Sequence, residues 1–168
     1  MLGLGFRTTY PARKAVMFLQ YYTHVPVSLS TVESRIEDVR SHLEEWAGVA
    51  YRQGEELYAT VGPGAAGCAK RVRLDIAGPE IRKSGVVYPV SWTAVGAKGL
   101  FPRLSADLVL SHIGKERTKL SLQGTYEPPL GMVGRAVDRT LLRNVAESTI
   151  QDWVDRVAVA VSSPTTVS

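Results

Sequence analysis

The chain has 168 residues, 45% of them hydrophobic and 21% charged, with 20 Lys and Arg against 16 Asp and Glu for a net charge of +4. That balance predicts one folded domain with a sizeable core, since a domain of ~150 residues buries roughly 70% of its unfolded surface, and it excludes a large disordered region. Cys68 is the only cysteine, which excludes an intrachain disulfide and a thiolate zinc cluster and fits a reducing cytoplasm.

The opening run MLGLGFRTTYPARKAVMFLQYY has neither the basic-then-apolar order of a secretory signal nor an apolar stretch long enough to span a bilayer. Regular patterning starts near His24, which predicts a loose arm over 1–23, with Met17 as an alternative start. HVPVSLST then alternates apolar and polar side chains as a half-buried strand does, and Pro26 suits an edge position. Ser30 and Glu33 have capping-box spacing. Val32, Ile36, Val39, Leu43, Trp46 and Ala50 follow at the period of one helix face, predicting a helix from 31 to about 57. VGPGAAG ends it, and ELYATVG just before is an alternative strand.

From Cys68 to Glu127 the period becomes two. Val72, Leu74 and Ile76 alternate with charged neighbours, as do Leu104, Ala106, Leu108 and Leu110, then Leu120 and Leu122, with mostly polar ones. HIGKERT between the last two runs predicts an antiparallel hairpin. GVVYPVSWTAV is apolar on both parities and carries Pro89, which predicts a bulge or an edge. Pro128 and Pro129 end the last strand. Gly131 and Gly134 read as a joint onto the sheet, because no Lys-Ser/Thr pair follows to grip phosphate. A helix from about 132 to 161 then presents Val137, Leu141, Val145, Trp153 and Val157 on one face and Arg135, Arg139 and Arg143 on another, before a tail at 162–168.

The runs VPVSLSTVESRIEDV and LSLQGTYEPPLGMVGRAVDRTLLRNVAESTIQDWVDRVA resemble the START/SRPBCC helix-grip superfamily, which includes polyketide cyclase/dehydrase-like proteins and the birch-pollen-allergen fold. The resemblance covers about 24–161 and implies an α+β helix-grip domain, a curved antiparallel sheet of about five to seven strands wrapped on a long C-terminal helix. It also implies an apolar cavity between sheet and helix, suited to a hydrophobic small molecule such as a lipid, polyketide or isoprenoid.

Parity turns Val72, Leu74, Leu104, Leu108, Leu110, Leu120 and Leu122 toward that space. Tyr88, Trp92, His112 and Tyr126 share those parities and carry tips that hydrogen-bond or stack, so with Leu108, Leu110, Leu122, Leu141 and Val145 they form the expected ligand-binding set. A fully packed core is the alternative. No residue is assigned to catalysis, since Asp75 and Asp107 face outward; a cyclase or dehydratase, the alternative function, would have to rely on His112 and Tyr126. His24, His42 and His112 lack metal-ligand spacing, so neither metal nor cofactor is expected. The Arg135, Arg139 and Arg143 stripe reads as a solvated face laced by Arg143–Glu147 and Asp152–Arg156 pairs. Its alternative is an interaction module meeting an acidic partner or, transiently, a membrane surface. No aromatic stacking motif accompanies it, so nucleic acid is not an expected partner, and the sequence leaves the oligomeric state open.

Overall fold

Six antiparallel strands form the sheet in the computed structural model, which describes residues 16–61, 71–95, 103–127 and 139–163. The strands are β1 (Met17–Val25), β2 (Arg71–Ile76), β3 (Glu80–Arg82), β4 (Gly85–Val95), β5 (Arg103–Gly114) and β6 (Arg117–Glu127); the helices are α1 (Leu29–Val61) and α2 (Arg139–Ser162). The sheet runs β1-β6-β5-β4-β2, and β3 pairs with β4 beyond the end of β2. Six strands and a long terminal helix meet the architecture expected. HIGKERT is the β5–β6 hairpin, its tip at Lys115 and Glu116.

The first strand lies upstream of its expected place. Residues 17–23, expected within a loose arm, pair with β6 along their length, from Met17 opposite Tyr126 to Val25 opposite Thr118. The VSLST run is not strand, because Ser28 turns the chain there. Its Oγ accepts the Thr31 N–H at 3.3 Å, so Ser28 is the N-cap in place of the expected Ser30 and Glu33 box. The ELYATVG alternative is also corrected. Residues 56–61 are the end of α1, since Leu57, Tyr58 and Val61 fit a helical spacing as well as a strand one.

Pro89 sits inside β4 without breaking it. It lacks an N–H and faces the point where the neighbouring edge is interrupted between β2 and β3, while its carbonyl accepts the Ala77 N–H at 2.9 Å. The proline is therefore matched by a gap in its partner strand.

Both helices cover the same face. Val32, Ile36, Leu43, Ala47 and Ala50 of α1 and Ile150, Trp153, Val154, Val157 and Val161 of α2 are buried against Leu104, Leu108, Leu110, Leu120 and Leu122. The helices run antiparallel, with the Arg35 Nη1 donating to the Val161 carbonyl at 2.6 Å and the Trp153 Nε1 donating to the Leu43 carbonyl at 3.1 Å. At ~1.5 Å per residue α2 is about 36 Å long, close to the length of β6. The joint at Gly131 and Gly134, with Arg135 and Val137, lies outside the described residues.

Candidate functional site

Strand register arranges the inward side chains in rows that cross the sheet. At one end Leu74, Trp92, Leu104, Tyr126 and Met17 lie side by side on β2, β4, β5, β6 and β1. The middle row is Tyr88, Leu108, Leu122 and Tyr21, and the next is Val86, Leu110, Leu120 and Thr23. Because Val161 meets Arg35 near the start of α1, the first turns of α2 lie toward the Trp92 and Tyr126 end.

That end combines an apolar floor with two polar tips. Leu104 is buried between Trp92, 3% exposed, and Tyr126, 9% exposed. The Trp92 ring meets Trp153 edge-on at 6.3 Å between centroids. Its Nε1–H is buried and has no acceptor among the described residues, an arrangement that costs about 1–3 kcal/mol when nothing else supplies one. Burial drives the Tyr126 phenol far above its ordinary range, so it remains protonated and works as a hydrogen-bonding group, not as a base.

A search of solved structures returns the same architecture. A hypothetical protein from Helicobacter pylori matches with a TM-score of 0.52 at 10% identity, covering 95% of this chain and 96% of that one. A conserved protein from Geobacillus kaustophilus matches with a TM-score of 0.52 at 16% identity, covering 85% and 93%. The chain has the α+β helix-grip fold. A START superfamily protein from Mycobacterium smegmatis also matches, at 14% identity over 86% of this chain and 96% of that one, but its TM-score of 0.38 is too low to add anything. No protein-family model matches the sequence, and no curated protein is significantly similar to it.

Within this helix-grip frame the expected ligand set divides. Trp92 and Tyr126 stand together at the sheet end, and Val145, half-buried, belongs to the N-terminal part of α2. Leu141 is on the same part of that helix, its side chain outside those described. Leu108, Leu110 and Leu122 are fully buried beneath the helices, and Tyr88 lies among them with its hydroxyl toward α1. His112 is exposed at the hairpin, where the β5–β6 pairing shifts register between His112 and Gly114. It stands eight residues along β5 from the partner of Tyr126, ~27 Å away at strand rise, so the two do not form an acid/base pair.

Sequence patterning missed Tyr21, whose hydroxyl donates to the Asp155 Oδ1 at 2.8 Å and ties β1 to α2. The alternation of Leu19 and Tyr21 with Phe18, Gln20 and Tyr22 is its signal. The groove of about 490 Å³ in the structure was missed too, for it lies on the other face of the sheet. It is lined by Pro89 and Ala106 with Asp75, Ser91, Ser105, Asp107, Gln123 and Thr125, and open to solvent. Beside it the Arg82 Nη1 pairs with Asp107 at 2.7 Å. No described helix is long and apolar enough to cross a membrane.

Three tyrosines give the fold an alkaline limit. Burial raises Tyr126, burial and then the charges of Glu37 and Glu33 raise Tyr88, and burial followed by the Asp155 hydrogen bond raises Tyr21. Their folded pKa values stand above the ordinary ~10, so the stability they contribute is complete below about pH 10 and falls as pH climbs through the folded values. Tyrosinate absorbance followed against pH should show a group of tyrosines ionising only as the circular dichroism signal is lost. Ionisation of every tyrosine at its ordinary pH with the fold intact would contradict this.

Proposed function

We propose that the protein binds a hydrophobic small molecule carrying a hydrogen-bond acceptor, without transforming it, at the sheet end where Trp92, Leu104 and Tyr126 meet the first turns of α2. The observation that carries this reading is the buried Trp92 N–H, which has no acceptor among the described residues. An indole only donates, so its complement is a carbonyl, ether or hydroxyl oxygen on an otherwise apolar body, a description that lipids, polyketides and isoprenoids meet. Leu104 offers the body a floor, and the Tyr126 phenol offers a second hydrogen bond two strands away, ~10 Å at ordinary strand spacing. Val145, half-buried in the N-terminal part of α2, is the helix residue we assign to this site.

Native mass spectrometry of protein purified from its own host, together with Trp92→Phe, tests the site. The wild type should carry a reproducible bound mass. Trp92→Phe should weaken retention by about 3- to 10-fold, the worth of one net hydrogen bond, while leaving unliganded stability unchanged or slightly higher because an unpaired donor has gone. Empty protein that also shows no thermal shift with a panel of apolar ketones and alcohols would favour a packed core. Reduced stability without any change in binding would make Trp92 purely structural.

A further inference from the structure

The two edges of the sheet are built differently. On one side β2 and β3 are short, broken between Ile76 and Glu80, and carry Arg71, Arg73, Asp75, Glu80 and Arg82. These are the devices by which natural sheets discourage edge-to-edge pairing. On the other side β1 is an unbroken strand of nine residues, MFLQYYTHV, with no lysine, proline, aspartate or glutamate. Three of the six exposed large hydrophobic residues described in the chain, Val16, Phe18 and Tyr22, lie on or beside it, at 53%, 59% and 54% exposure. All three share the outer face, away from the helices.

We propose that two copies of this chain associate by antiparallel pairing of their β1 strands about a two-fold axis at Gln20, joining the two sheets into one. Antiparallel pairing with outer faces kept together sets residues of equal parity opposite each other, and only the register centred on Gln20 puts Phe18 of each copy against Tyr22 of the other. That contact is then made twice, and cross-strand aromatic pairs are among the favourable ones. Val16 of each copy falls opposite His24 of the other. The charge at this edge does not oppose the pairing. Lys119 stands over the Tyr22 ring at 4.7 Å and is in register with His24, so the Lys119 residues of the two copies are about eight residues, ~27 Å, apart. That separation exceeds the screening length of ~8 Å at physiological salt. On the inner face the Tyr21 hydroxyl is already engaged by Asp155, which holds β1 flat against α2 and leaves its outer hydrogen-bonding edge unpaired with any described strand.

Sedimentation equilibrium of the full chain is the direct test. The wild type should behave as a dimer of twice 18.3 kDa. Phe18→Lys with Tyr22→Lys, both exposed and so tolerated by the fold, sets like charges across the axis and should weaken association about 10- to 100-fold. Phe18→Glu with Tyr22→Glu should do the same, and mixing the two variants should restore the dimer. In a Cys68→Ser background, Gln20→Cys should cross-link to a second copy on oxidation, because the residue faces itself across the axis, whereas His24→Cys should not. A wild type that stays monomeric at every concentration, as it would if residues before Val16 or another protein's strand occupied the edge, overturns the proposal. So does a dimer indifferent to the charge variants.

Discussion

Replacing Trp153 by alanine is expected to cost about 3–5 kcal/mol, a large share of the ~5–15 kcal/mol that holds a domain folded. Trp153 is completely buried and stands where three elements meet: its indole N–H donates to the Leu43 carbonyl of α1, and its ring packs edge-on against Trp92 of β4. Alanine leaves a void bounded by both helices and the sheet, none of which can close independently of the others. Urea denaturation followed by circular dichroism should show the midpoint fall sharply. Val159→Ala, removing a side chain 67% exposed on the same helix, should stay within about 0.5 kcal/mol of wild type. Equal effects from the two would mean that α2 does not lie on the sheet by its Trp153 face.

Gly85→Val is expected to be comparably damaging for a different reason. Gly85 opens β4 just after the Lys83-Ser84 turn and has φ of 127°, a region closed to a β-branched residue. A side chain there would also run into the Leu110 carbonyl of the neighbouring strand. Backbone strain of about 1–3 kcal/mol and overpacking of similar size act together, so a loss of about 3 kcal/mol or more is expected. Gly78→Ala is the informative control, since a Cβ at Gly78 meets nothing within 4 Å. Thermal melts of both variants should separate them clearly; a Gly85→Val protein as stable as wild type would contradict the strained hairpin.

How much could be read from the residues depended on whether burial left a one-sided pattern. β5 and β6 were legible because Leu104, Leu108, Leu110, Leu120 and Leu122 face the helices while most of their neighbours are polar. β1 was not, since Phe18 and Tyr22 are apolar on its exposed face and blur the alternation. β3, with all three residues exposed, has no pattern to find. At the candidate site, parity alone brought Trp92 and Tyr126 onto the inner face. It failed at His112, which keeps its register opposite Thr118 but is exposed at the hairpin end of the sheet. The unpaired state of the Trp92 N–H was unreadable, because whether a donor finds an acceptor depends on tertiary packing and not on its neighbours in sequence.

The pairing of β1 with β6 also governs when the molecule can become whole. Met17 waits for Tyr126, and Tyr21 for Asp155, partners separated by more than a hundred residues of chain. β1, the earliest of the described strands to be synthesised, is thus among the last of them to acquire a neighbour. Loop closure over such spans must precede the reward of pairing, which places folding in the slower, ~millisecond-to-second range of sheet-rich domains. Until β6 has been synthesised, neither edge of β1 has a described strand to pair with, and its aromatic run is exposed in the nascent chain.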